Sequence, residues 1–310
     1  MAVYGRSRSR SRRTSGLKSQ LVFDQLNPIV IFAYYVITIA FSMTFIHPIY
    51  LVSELLIMIA VNLLAKNQQK TLSALQGALF MMLFIVVMNP IMNNHGAHVI
   101  ATFGGTVITA EAVTYGFLMA LSLAILMLIF VSYNQSMTNH KFLYLFNRLS
   151  PQLTLLTMIT MRFVPLFIRR FTNIKHVQKT RGVQMETGSV RARSHAGMRL
   201  MEVLLINSLV DALQTADSMT ARGYGAQKRT SYQRYRLTQR DGWLLTGLIV
   251  SSGLCFYLAK QGVGRLAVYP VLGSAHLDQT GWLCLVLVLL IDSLPLLLEG
   301  WEYLWWTLRK

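Results

Sequence analysis

The chain has 310 residues, 54% hydrophobic and 13% charged, about half the charged share, roughly 25%, of an ordinary soluble domain. No Lys or Arg occurs over 19–65, and Glu111 is the one charge over 71–140; such runs outlast the roughly 10–14 apolar residues of a soluble core helix and argue against a soluble fold. The net charge of +17 is concentrated, because positions 133–241 hold 17 of the 29 Lys and Arg against five acids, a field that suits acidic partners or anionic lipid.

The composition therefore predicts an all-α polytopic membrane protein with about six transmembrane helices and a cytoplasmic block of amphipathic helices. Residues 1–20, with Arg6, Arg8, Arg10, Arg12 and Arg13 mostly alternating with Ser, read as a disordered basic arm rather than a cleavable signal. Residues 21–132 hold spans at 28–46, 49–65, 72–92 and 107–132, the first two separated by a tight His47-Pro48 turn and the last two by a polar loop at 93–106. After the block at 133–241, residues 242–310 supply spans at 243–259 and 282–298 and a short tail. Lys66 with Lys70, the arm, the block and Arg309-Lys310 then share one side, which the positive-inside rule makes the cytoplasm, with both termini on it.

Within the block, Ser150-Pro151 predicts a helix start, an N-cap followed by proline at the first helical position. Leu153, Leu155, Leu156, Ile159, Phe163, Leu166, Phe167, Phe171 and Ile174 recur at helical steps, with Pro165 as an expected kink, opposite Arg162, Arg169, Arg170, Lys175 and Lys179. Residues 182–197, rich in Gly, Ser and Thr, read as a connector, and a second amphipathic helix is expected from Met198 to Gly223.

Each helix closes on a small residue, an arginine and a glycine: Thr180-Arg181-Gly182 and Ala221-Arg222-Gly223, the arginines 41 positions apart. Spacing alone is explained by helix termination, since glycine takes the left-handed cap and a terminal cation offsets the dipole. The repetition also fits two docking points, because a guanidinium can make bidentate bonds to carboxylates of another protein.

Around these cassettes the chain resembles the transmembrane T component of energy-coupling factor (ECF) transporters. The stretch from Ala212 through Asp217, Ala221-Arg222-Gly223-Tyr224-Gly225 and Lys228-Arg229-Thr230 is similar to the family's second signature. Thr180-Arg181-Gly182 stands in place of the first, with Thr where the family often has Ala. Leu26-Asn27-Pro28, Asn89-Pro90 with His95-Gly96, and Thr109-Ala110-Glu111-Ala112 with Tyr115-Gly116 carry it further.

The resemblance implies a bacterial or archaeal cell-membrane protein that couples ATP hydrolysis to uptake of a micronutrient, a vitamin or a metal ion. It implies as partners two ABC-type ATPase subunits, each gripped by one of Arg181 and Arg222, and a membrane-embedded substrate-binding S component. It implies no catalysis and no cofactor in this chain, with ATP bound by the partners; consistently, no Gly-x-x-x-x-Gly-Lys-Ser/Thr phosphate loop occurs. Met158, Met161, Met198, Met201 and Met219 are candidates for an adaptable S-component surface, with ordinary helix packing as the alternative.

Outside the block, Glu54, Glu111 and Asp292 lie in or beside spans, where ionisable groups are site candidates. Glu111 is more simply a helix-start carboxylate following the N-cap Thr109. Glu54 and Asp292 would be the proton or ion sites of the alternative function, a self-contained secondary transporter. His95 and His98 form a weak metal pattern, so no metal site is expected. Cys255 and Cys284 fall in separate apolar runs and read as small fillers, and Trp301, Tyr303, Trp305 and Trp306 as an interfacial belt after the last span. A membrane-anchored nucleic-acid binder is disfavoured, since the basic residues lack base-stacking aromatic patterning.

Overall fold

The computed structural model describes residues 22–65, 68–93, 98–103, 106–147, 150–180, 189–226, 235, 237–268, 273 and 276–308. Two units emerge, one of residues 1–141 with 235–310 and one of residues 142–234.

In the first unit a short 3-10 turn, Val22–Gln25, leads into helix α1 (Pro28–Thr44). Asn27 caps α1 by accepting the Ile29 amide at 3.0 Å, and Pro28 occupies the first turn, where its missing N–H is harmless. Helix α2 (Pro48–Leu64) repeats the device, with His47 Nδ1 accepting the Ile49 amide at 3.3 Å ahead of Pro48. Helices α3 (Gln68–Met92) and α4 (Ala110–Ser136) have 25 and 27 residues, about 40 Å each against about 30 Å of hydrocarbon. Thr109 caps α4, its Oγ1 accepting the Ala112 amide at 3.3 Å.

A short helix α5 (Asn139–Asn147) follows. After the second unit the chain returns as α8 (Gln239–Lys260), started by a reciprocal capping box between Thr238 and Asp241, then α9 (Gln279–Asp292) and α10 (Leu294–Leu308).

Helix α4 packs against α1, α2 and α3, and α9 against α1, α2 and α8. Between apolar helices in lipid there is little hydrophobic drive, so close packing and interhelical hydrogen bonds set the arrangement, each bond worth about 0.6 kcal/mol. Asn62 on α2 donates to the Leu128 carbonyl of α4 at 3.2 Å, and Ser122 Oγ of α4 donates to the Ser42 carbonyl of α1 at 2.9 Å. Tyr35 and Ser132 share a bond at 2.8 Å, and Tyr50 Oη donates to the Gly281 carbonyl of α9 at 2.6 Å. Val30, Ile31, Tyr34, Phe41, Leu51, Met58, Ile125 and Leu128 fill the space between.

Gly116 shows how close the approach of α3 and α4 is, since a Cβ there would stand 3.0 Å from that of Asn89, whose amide donates to the Ala112 carbonyl at 2.7 Å. These residues belong to two of the motifs singled out in the sequence, and the fold joins them.

The second unit contains α6 (Pro151–Thr180) and α7 (Val190–Ala221), which pack on each other. Helix α6 begins at Pro151 as expected and continues through Pro165.

The all-α polytopic class is borne out, with departures. Among the described residues four helices are long and apolar enough to cross a membrane, 68–92, 110–136, 152–180 and 239–260, and a bent pair would make a fifth. Helices α1 and α2 have 17 residues each, the lower limit for a span. The helix over 152–180, expected as a cytoplasmic amphipathic element, passes that test because its first ten residues carry no charge.

The expected span 282–298 is two helices bent by 57° at Ser293. Pro295 explains the break, since its ring would collide with the Ile291 carbonyl and it has no N–H to give. Trp301 and Trp305 consequently stand on α10 rather than beyond the last helix.

The loop expected at 93–106 contains strand β1 (Val99–Phe103), paired antiparallel with β2 (Thr106–Thr109), and β2 replaces the first residues of the span expected from 107. Helix α7 starts at Val190, eight residues earlier than expected: Arg and Ala favour helix, and Gly197, costing about 1 kcal/mol, does not stop it.

Candidate functional site

Helix α7 ends in a Schellman arrangement built from the second cassette. The Gly223 amide donates to the Thr220 carbonyl at 2.9 Å, and the Tyr224 amide reaches back to the Met219 carbonyl at 3.0 Å. That closure requires a left-handed residue, and Gly223 has φ 78°. Ala221 is thus the last helical residue and Arg222 the cap, its own amide donating to the Ser218 carbonyl at 3.2 Å. All three residues are exposed, so the cap presents the guanidinium at the helix tip.

Thr180 ends α6, with its hydroxyl donating to the Val177 carbonyl at 2.7 Å. Arg181 and Gly182 lie outside the described residues, so one cassette of the two has its geometry here.

Between α6 and α7 runs a groove of about 780 Å³, lined on its polar side by Arg162, Arg169, Arg170, Asp211 and Arg222. Arg170 pairs with Asp211, joining the helices. Four guanidinium groups against one carboxylate leave the groove cationic, consistent with an acidic ligand or partner.

Met219 lines the groove, while Met158, Met161, Met198 and Met201 are 44%, 49%, 73% and 51% exposed outside it. Leu153, Leu156, Ile168, Leu205, Leu209 and Leu213 are exposed as well, so the apolar stripes of α6 and α7 are only partly used between the two helices.

In the first unit, Glu111 is buried and accepts from the His98 amide and, at 2.8 Å, contacts His98 Nδ1. The carboxylate at the helix start therefore also fastens the beginning of the hairpin, a partner that local spacing did not reveal. His95 lies outside the described residues, and among the described residues no three His, Cys, Asp or Glu side chains cluster for a metal. Cys255 and Cys284 are both buried, on the mutually packed helices α8 and α9.

Glu54 on α2 and Asp292 at the end of α9, which the sequence could not bring together, are both buried and close enough to interact electrostatically. Tyr34 Oη donates to the Asp292 main-chain carbonyl at 2.8 Å, fixing that helix end against α1.

An all-α polytopic membrane protein with a separate helical pair and an arginine at a capped tip is the class that fold and site define. The family model of the cobalt transport protein (CbiQ) matches residues 20–232. The chain belongs to this family.

Among curated proteins it is similar to the energy-coupling factor transporter transmembrane protein EcfT of Bacillus subtilis, 33% identical over 108 residues, 34% of this chain and 41% of that protein. It is similar also to EcfT of Staphylococcus aureus, 28% identical over 196 residues, 60% of this chain and 73% of that protein. EcfT of Listeria innocua is 36% identical over 108 residues, 34% of this chain and 41% of that protein. The chain thus spans less than half the length of two of these three relatives. The relatedness read from the sequence motifs is borne out.

Proposed function

We propose that this chain is the energy-coupling transmembrane subunit of an ATP-driven importer of a vitamin or a metal ion. It is a non-catalytic part of the complex, and ATP is bound and hydrolysed by two cytosolic ABC-type ATPase subunits. Arg222, and Arg181 by its matching cassette, anchor one ATPase each, and a membrane-embedded S component carries the substrate. Both termini and the unit of α6 and α7 face the cytoplasm.

The observation that carries the reading is the Arg222 tip. A Schellman closure at Gly223 removes helix-end carbonyls from the list of groups needing a partner and leaves the neighbouring guanidinium exposed. An exposed, oriented fork of donors is suited to a carboxylate of another protein, and a helix under load can transmit force through it. The methionines and the uncovered leucines of α6 and α7 supply an apolar surface on which an S component can shift without losing contact.

Co-expression of the chain with its ATPase subunits tests this. Replacing Arg181→Glu and Arg222→Glu together is expected to leave the chain in the membrane while at least about 90% of ATPase co-purification is lost, since each carboxylate would meet a reversed charge, at a cost of 2 kcal/mol or more. Retention of the complex and of transport rejects the assignment.

A further inference from the structure

Glu54 and Asp292 differ from the other acids of the first unit. Glu54 is 3% exposed and Asp292 0%. Among the described residues Glu54 Oε1, both carboxylate oxygens of Asp292 and the hydroxyl of Thr38 have no hydrogen-bond partner. Thr38 is itself 0% exposed, on the same helix as Tyr34, which binds the Asp292 main chain. Three packed helices supply these oxygens, Thr38 from α1, Glu54 from α2 and Asp292 from α9, with Asp292 in electrostatic reach of Glu54 and beside the Thr38 hydroxyl.

Among the described residues the side chains around them supply no positive charge. Among the described residues the groups that act on Asp292 are Glu54, Tyr34, Cys255 and Thr38, acids or neutral donors. Lys141 is held by the Asp24 and Ser136 carbonyls at 2.7 and 2.8 Å, and Arg265 by the Thr44 carbonyl at 3.3 Å. The two ion pairs among the described residues lie elsewhere, at His98–Glu111 and Arg170–Asp211.

Two carboxylates buried in a bilayer-spanning bundle cannot both stay ionised without a countercharge. Carboxylate and hydroxyl oxygens as donors select a hard ion over a soft one. We propose that Glu54, Asp292 and Thr38 form a binding site for a small hard cation inside the helical bundle. Bound there, the ion adds a tie among α1, α2 and α9 beside the bend at Ser293, where the Tyr34 bond to the Asp292 carbonyl already joins α1 to α9. The site lies wholly within the first unit and does not rest on the energy-coupling reading.

The test uses the full chain in lipid nanodiscs, with thermal unfolding followed in NaCl, LiCl, MgCl₂ or CaCl₂ and compared with choline chloride at equal ionic strength. At least one of the four salts is expected to raise the transition temperature saturably. Thr38→Val, which keeps shape and charge, should weaken that cation's apparent affinity by about fivefold or more, as loss of one oxygen contact worth about 1 kcal/mol requires. Asp292→Asn and Glu54→Gln should each remove the response.

Equal stability of the wild-type chain in all five salts overturns the proposal, as does an Asp292→Asn variant that responds like wild type. Infrared spectra in each salt separate the remaining case: a protonated-carboxyl band that persists in every salt and vanishes in Asp292→Asn assigns the pair to protons alone and equally overturns it.

Discussion

His47 shows how one side chain can carry a structural decision and a pH dependence together. Its Nδ1 accepts the Ile49 amide, its ring packs edge-on to Tyr50 at 5.9 Å between centroids, and the residue is buried. An accepting Nδ1 has no proton to hold, and burial disfavours the charged ring, so its pKa lies below the ordinary histidine value. Because the folded pKa is the lower one, the unfolded chain binds more protons over the interval between the two. The contribution of His47 is therefore complete above about pH 6.5 and is lost as pH falls through the folded value. Comparing thermal unfolding at neutral and mildly acidic pH, the wild type should lose more stability than His47→Asn, which keeps a capping acceptor that does not titrate. The cap sets the scale, about 1 kcal/mol. Identical losses in the two proteins would show that His47 titrates alike in the folded and unfolded chains and that burial does not hold its pKa down.

Helix ends were the most legible elements, because their signals are local. Asn27-Pro28, Thr109 and Ser150-Pro151 mark real starts, and Gly223 marks a real stop. Since no atom lies within 4 Å of a Cβ built on Gly223, the cost of Gly223→Ala is confined to the backbone, about 1–2 kcal/mol for an L-residue held left-handed. Hydrogen exchange at the Gly223 and Tyr224 amides should accelerate about tenfold, and less in Gly223→Asn, which tolerates that conformation better. Unchanged exchange in Gly223→Ala would mean that the Schellman closure does not hold the tip in solution.

What escaped the sequence was of two kinds. The hairpin is within reach, for Gly104-Gly105 between β-branched runs is a two-residue turn signal, but a division by polarity splits it between a polar loop and the apolar span that follows. Apolarity measures whether a segment can sit in lipid and says nothing of its continuity, so an apolar run over 282–298 does not reveal the bend before Pro295. The meeting of Glu54, Thr38 and Asp292 belongs to the second kind. It joins three helices distant in the chain, and no periodicity encodes which buried faces will meet.

At the scale of the molecule, the first unit wears its apolar residues outward. Leu79, Phe80 and Leu83 on α3, Ile249 and Val250 on α8, and Leu283 on α9 are 58–71% exposed, far more apolar surface than a soluble monomer presents. Lipid covers such a belt, and the charge distribution then decides which way it is threaded. Asn93, beyond α3, and Thr220, near the Arg222 tip, are exposed positions that the proposed orientation places on opposite sides. The chain's own thiols do not confuse the measurement, because Cys255 and Cys284 are both 0% exposed. With a membrane-impermeant maleimide, Asn93→Cys should label in cells whose outer face is accessible and Thr220→Cys only in inverted vesicles. Labelling of Thr220→Cys from the outer face would put the Arg222 tip where no cytosolic ATPase can reach it, and coupling through that arginine would be physically impossible.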